Sequence, residues 1–228
     1  MSILGSSQRW YAALVDMYDI IYEAIARVWP ECTRRVTRAS SIAAAPRQVM
    51  ARQAHADPIT RYLIMHLRSD SIIRDSPIHI ESQRELLPDG PQADPKPIGY
   101  LDICVLFLTG SDKLYLAMEC KRLNVRQAKN RTATQASEYV TKGMMRFVSG
   151  QYAPTWPLGA MCGYVMDGNM QTAYIAIRHQ IEQHAQQLLY DPALFRDVKR
   201  PEHFSTTHQR PDVPIELRHL LLAAHGVP

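Results

Sequence analysis

Long apolar runs are missing from this chain of 228 residues. No stretch approaches the roughly 18 consecutive apolar residues that a membrane-crossing helix requires, and no charged-then-apolar leader is present. Neither a membrane span nor a secretory signal is therefore expected, and the default location is cytoplasmic. Cysteine is scarce: Cys32, Cys104, Cys120 and Cys162 are the only four. They are widely spaced and mostly lie inside apolar runs, which excludes a disulfide scaffold and marks them as reduced core residues. The nine histidines show no spacing, with one another or with cysteine, that suits zinc. A large charge excess is also lacking. The net charge of +4 and a pI near 8.9 are mildly basic, short of a protein that coats nucleic acid by charge alone. No internal repeat or low-complexity tract interrupts the chain.

What is present is enough hydrophobic content, 46%, to bury one substantial core or one core with a small helical addition. Residues 1–56 read as a helical N-terminal extension. Trp10 to Val28 has helical periodicity through Leu14, Met17, Ile21 and Ile25 and is expected to stop at Pro30, and a second helix is expected over 43–53. The core is then assigned to 57–228. Asp57-Pro58 opens a helix to about residue 68, with Asp57 as its N-cap and proline at the first helical position. A strand follows near 77–86, then a Pro/Gly/Asp-rich loop over 88–98. Further on come a helix over 132–149, a strand over 158–165 and a helix over 170–189. Residues 215–222 are either a further strand or a closing helix. His208 and Arg210 in the tail are expected on the surface.

Chemistry concentrates in the segment GYLDICVLFLTGSDKLYLAMECKRL. Two strand-like runs flank the turn residues Thr109-Gly110-Ser111-Asp112, which reads as a β-hairpin. Side chains alternate along a strand, so Glu119 and Lys121 share one face while Cys120 points to the other. Antiparallel pairing about the turn brings Asp102 to the same end of the hairpin as Glu119. Converging carboxylates within an apolar sheet repel each other and are costly to desolvate unless a cation neutralises them. A hard divalent ion held by one or two carboxylates, with water and a substrate phosphate completing its shell, describes Mg²⁺, for which Mn²⁺ would substitute. Lys121 then stands where it can stabilise charge on a phosphate or help deprotonate a water.

Asp102 followed after a hairpin by Glu119-x-Lys121 resembles the PD-(D/E)XK superfamily, the restriction-endonuclease-like phosphodiesterases. The proline-aspartate part is degenerate, since Tyr100-Leu101 precede Asp102. The resemblance spans residues 57–168 and implies an α/β fold: a three-layer core with a central mixed β-sheet flanked by helices. Gln135-Ala136-Ser137-Glu138-Tyr139 fits the QxxxY pattern of RecB-type exonucleases, fourteen residues after Lys121. In such enzymes the Gln135 and Tyr139 positions orient substrate or support the site. Similar nucleases carry an extra acid on the helix or strand before the hairpin. Asp57, Glu81 and, behind it, Glu85 are the candidates, with Glu81 taken as an additional metal ligand. Some QxxxY nucleases hold an iron-sulfur cluster through one early cysteine and a tight late group. The late group is missing, so no cluster is expected.

The expected activity is metal-dependent hydrolysis of phosphodiester bonds in nucleic acid, DNA in preference to RNA. The basic run Lys121, Arg122, Arg126, Lys129 and Arg131, with no acid between Glu119 and Glu138, is suited to phosphate contact. Arg34, Arg35, Arg38, Arg47 and Arg52 form a second basic cluster, and Lys142 and Arg146 suit phosphate contact or an ion pair. The alternative is an inactive module of the same fold that binds nucleic acid or a partner protein. A homodimer is compatible with either reading, and no membrane partner is expected.

Overall fold

The structure is a computed structural model that describes residues 3–42, 57–87, 97–108, 114–126, 132–190 and 201–224, with side chains from residue 10 to 35 in the first of these segments. The helix expected over 43–53, the hairpin turn 109–112, most of the loop 88–98, and Lys129, Arg131, Arg47, Arg52 and the Arg38 side chain lie outside the described residues.

A six-stranded mixed sheet forms the middle layer, in the order β1-β2-β3-β6-β8-β7. Strands β1 (Ile78–Leu86), β2 (Gly99–Phe107) and β3 (Tyr115–Leu123) pair antiparallel. Strand β6 (Leu158–Val165) runs parallel to β3, and β8 (Ile215–Ala223) runs parallel to β6. Strand β7 (His203–His208) closes the far edge antiparallel to β8. The tail is therefore a strand pair. A small ladder of β4 (Val125–Arg126) and β5 (Thr132–Ala133), which the periodicity did not reveal, interrupts the expected 132–149 helix at its start.

Alternation along the strands divides the core in two. Leu116, Met118 and Cys120 of β3, with Ala160, Cys162 and Tyr164 of β6, face α1 (Ile3–Ile42), α2 (Pro58–Ser69) and the short α3 (Ser71–Asp75). Ala117 and Leu123 of β3, with Met161 and Val165 of β6, face the other helical layer. That layer contains α4, built from Ala136–Glu138, a π-helical turn Tyr139–Met144 and Met145–Val148, and α5 (Met170–Gln183). The protein is thus an α/β structure with helices on both faces of a mixed sheet.

Helix α1 continues through Pro30 instead of ending before it. Proline removes one helical hydrogen bond and normally breaks a helix interior. Here the apolar stripe continues past it, from Leu14, Met17, Tyr18, Ile21, Ala24, Ile25 and Val28 to the fully buried Cys32. Trp29 fixes the turn just before the proline: its indole nitrogen donates to the Ala223 carbonyl at 2.8 Å and its ring stacks on Tyr164 at 5.7 Å. Burial on both sides of Pro30 outweighs one lost bond.

His208 and Arg210 are buried, contrary to their expected surface position. Arg210 donates Nε to the Val213 carbonyl (2.9 Å), Nη1 to those of Phe147 (3.3 Å) and Ala153 (2.8 Å), and Nη2 to that of Trp156 (2.7 Å). A guanidinium placed at the end of α4 adds a second donor to the Phe147 carbonyl, bridges it to the carbonyls of the following loop and suits the negative end of the helix dipole. Replacing Arg210 with Met should cost about 3 kcal/mol, because the Val213 and Trp156 carbonyls lose a charged donor, while those of Phe147 and Ala153 keep a backbone N–H from Gly150 and Trp156. For a protein of this size, thermal unfolding should then begin about 6 °C or more below wild type. An unchanged midpoint would show that the four contacts do not brace the helix.

Candidate active site

The hairpin register sets the site. Pairing of β2 with β3 runs from Leu106↔Tyr115 to Ile103↔Met118, so Asp102 and Glu119 are the next residues along. Asp102 does not extend the ladder through its backbone. Its Oδ2 accepts the Cys120 backbone N–H at 2.7 Å, which holds the carboxylate against β3. Opposite it on β1, Gln83 has a left-handed backbone (φ 53), a local irregularity at the same level of the sheet. Glu119 and Lys121 lie on the face covered by α4, and Cys120 packs into the opposite layer, as alternation requires.

Glu119 is 1% exposed. Its Oε1 accepts from Lys121 Nζ at 2.5 Å and from Arg146 Nη1 at 3.0 Å, whereas its Oε2 is buried with no hydrogen-bond partner. Burial first, then the charge of Asp102, raises the Glu119 carboxyl to about 7. Burial also raises Asp102, against the opposing pull of the Cys120 N–H and of Lys121 and Arg146. Both shifts mark a pair of acids short of positive charge. A cation on Glu119 Oε2 and Asp102 would answer the orphaned oxygen and both shifts together, so the residues present fit a hard divalent ion held by two carboxylates.

Gly143 is the residue of α4 that packs over Met161 and Glu119. A Cβ there would lie 2.6 Å from Met161 Cε and 3.8 Å from Glu119 Cγ. One turn on, Arg146 reaches Glu119 and also donates to the Tyr152 hydroxyl at 2.6 Å. Tyr152 in turn donates to the Tyr100 carbonyl on β2 at 2.5 Å, two residues before Asp102. Sequence reasoning had offered Arg146 only as a phosphate contact or an ion pair, and it missed Gly143 and Tyr152. No local spacing signals either residue, although the small residue and the cation on one helix that follows the Glu-x-Lys strand were a usable hint.

The remaining candidates are placed apart. Asp57 accepts from Ile59 N at 2.8 Å as the cap of α2 and pairs with Arg122 at 2.5 Å. Its charge reaches Asp102, but its oxygens are already engaged. Glu81 is paired across the sheet with Cys104 and forms a 3.7 Å ion pair with Arg84, so it is not brought to Asp102 and Glu119. Glu85 is exposed. Among the described residues, no three or more His, Cys, Asp or Glu side chains converge on a metal-sized site. Gln135 is half-buried at the start of α4 with a left-handed backbone (φ 55) and shows no bond to the carboxylates.

Tyr139 is fully buried on the sheet side of α4, and its hydroxyl is committed elsewhere. It lies 3.0 Å from His219 Nδ1, His219 Nε2 lies 2.9 Å from Thr206 Oγ1, Thr206 Oγ1 lies 2.8 Å from His208 Nε2, and His208 Nδ1 lies 2.8 Å from the Leu188 carbonyl. The carbonyl can only accept, so His208 carries its proton on Nδ1 and Thr206 donates to its Nε2. His219 then donates to Thr206 and accepts from Tyr139, which fixes both neutral tautomers. Burial lowers His208 to about 4 and holds His219 well below its ordinary value. Tyr139 therefore belongs to a buried polar chain that ties α4 to the sheet, which leaves support of the site, and not contact with substrate, as the role open to its buried hydroxyl.

Comparison with protein-family models, with curated proteins and with solved structures gives no match in any of the three.

Two opposite pH dependences follow. In the metal-free protein, Glu119 holds its proton up to about 7 when folded but only to about 4.5 when unfolded. Its contribution is therefore present below 4.5 and is lost as pH rises to 7, at about 1.4 kcal/mol per pH unit. His208 has the reverse sign: its contribution is present above 6.5 and is lost as pH falls toward 4. Chemical denaturation across this range should show a wild-type minus Glu119→Gln stability difference that falls with pH. The corresponding difference for His208→Gln should rise with pH. A flat difference for Glu119→Gln would mean that its carboxyl is not held protonated.

Proposed function

We propose that the chain is a metal-dependent nuclease with a restriction-endonuclease-like core, hydrolysing phosphodiester bonds in nucleic acid, DNA in preference to RNA. The observation that carries the reading is the pair Asp102 and Glu119 at one end of a hairpin, with an unpartnered buried oxygen on Glu119 and Lys121 on the same face. The connectivity supports it. Helix α2, then β1, β2 and β3 antiparallel, then α4 and β6 parallel to β3, follows the order that the resemblance implies.

Asp102 and Glu119 Oε2 would hold Mg²⁺ or Mn²⁺, which supplies Lewis acidity toward a phosphate and a more acidic water. Lys121 and Arg146 anchor Glu119 Oε1, which leaves Oε2 without a hydrogen-bond partner and open to a cation. The Cys120 N–H fixes the orientation of Asp102. The Lys121 ammonium, 23% exposed, is the cation able to meet negative charge that develops on phosphate oxygens, or to hold a proton beside the attacking water.

One observation favours the inactive-module reading. Lys121 and Arg146 already place two positive charges on Glu119, so the cluster is partly balanced without a metal. Purified protein incubated with linear duplex, circular duplex and single-stranded DNA, in Mg²⁺, Mn²⁺ or chelator, should cleave only with metal. Lys121→Ala should lower the rate about 10² to 10³-fold. Absence of cleavage, with wild type and Lys121→Ala binding DNA equally, would support the module instead.

A further inference from the structure

We propose that Arg146 and Lys142 form a phosphate-binding subsite beside the carboxylate pair, which holds a backbone phosphate of the nucleic acid next to the one being cut. This rests on the reading of the chain as a nuclease.

An open cavity of about 270 Å³ lies along α4, lined by Thr141, Lys142, Met145, Arg146, Ser149 and Gln151. At about 30 Å³ per water it has room for a phosphate group and part of its solvent. None of its lining residues is acidic, so an anion entering it meets no opposing charge from the wall. The neutral polar side chains are already engaged. Thr141 donates to the Ser137 carbonyl, Ser149 to that of Arg146, and Gln151 Nε2 to that of Ile98. The donors left for a ligand are therefore the two cations and the second N–H of the Gln151 amide.

Arg146 uses only Nη1 among the described residues, for Glu119 and for Tyr152, so Nε and Nη2 have no hydrogen-bond partner there. Its side chain is 36% exposed and lies over the Tyr152 ring at 5.3 Å, which fixes the plane of the guanidinium. Lys142 gives one of its three donors to Glu138, and at 64% exposure it is free to turn into the cavity. Both cations line this one cavity, so they address the same anion path. Because Arg146 also touches Glu119, that path reaches the carboxylate pair directly. A planar guanidinium braced on one edge and open on the other is suited to paired phosphate oxygens.

The test is fluorescence anisotropy of a labelled single-stranded oligonucleotide in chelator, where nothing is cut, over 50 to 200 mM salt. Arg146→Gln and Lys142→Gln should each weaken binding several-fold at the lowest salt. Each should also flatten the slope of log affinity against log salt by about 0.7, the value for one lost phosphate contact on a single strand. Arg146→Lys should keep the slope, and Arg178→Gln on α5, which removes one charge far along the chain, should leave binding unchanged. Lys142 is exposed enough that its variant reports even if Arg146→Gln folds poorly, which a thermal melt would reveal. Unchanged slopes in both Gln variants, or a change in only one, would overturn the subsite. If wild type still cleaves DNA in metal, that failure leaves the nuclease reading intact. Flattened slopes in a protein that cuts nothing would keep the subsite and remove the nuclease.

Discussion

Burial of Glu119 next to Asp102 is the constraint around which the α4 face of the molecule is arranged. An acid almost completely removed from water must be neutralised by a proton, a basic side chain or a metal ion. The fold supplies the second to one oxygen of Glu119, while the other has no hydrogen-bond partner and its carboxyl keeps a proton up to about 7 in the metal-free protein. The first half of that arrangement explains why Arg146 reaches down from α4 and why Lys121 folds back along its own strand. The second half leaves Glu119 Oε2 buried without a hydrogen-bond partner.

Holding that arrangement depends on how α4 is seated on the sheet. Gly143 leaves room for the Met161 side chain beside Glu119, and the π-helical turn Tyr139–Met144 lets the helix change phase there, a feature frequent at functional positions. Two anchors fix the ends. Tyr139 ties the start of the helix to β7 and β8 through His219, Thr206 and His208, and Arg210 ties its last turn to the loop that leads into β6. The Arg146–Tyr152–Tyr100 connection adds a third tie, to β2. The carboxylates, the cations and the helix are thus positioned by long-range contacts from the sheet and the tail together.

The hairpin and its acids were legible because their determinants are local. Period-2 alternation assigned Cys120 to one face and Glu119 and Lys121 to the other, and the turn residues set the sense of pairing. The Asp57 cap was legible for the same reason, since capping depends on two adjacent residues. Pro30 was misread because a local rule was applied where tertiary burial of Cys32 and the anchoring of Trp29 decide the outcome. Tyr139 satisfied a five-residue pattern, but the histidine that takes its hydroxyl lies eighty residues further along the chain. Arg210 looked like a surface residue because its partners are backbone carbonyls, which carry no side-chain signature. Glu81 shows the limit of counting acids on neighbouring strands: one step along the sheet, with Arg84 beside it, keeps it away from Asp102.

The strand order has a consequence for how the site comes into being during synthesis. Strand β8 follows every other described element in the chain, yet it sits inside the sheet, between β6 and β7. While a nascent chain has emerged only as far as α5, β6 presents an open edge of fully buried character, and neither His219 nor Arg210 exists to tie α4 down. Such an edge invites pairing with other chains until its proper neighbour arrives. The carboxylate pair and its helix would therefore become fixed only once β8 has been made. A ribosome-bound intermediate would carry Asp102 and Glu119 without the framework that aligns them until β8 is in place.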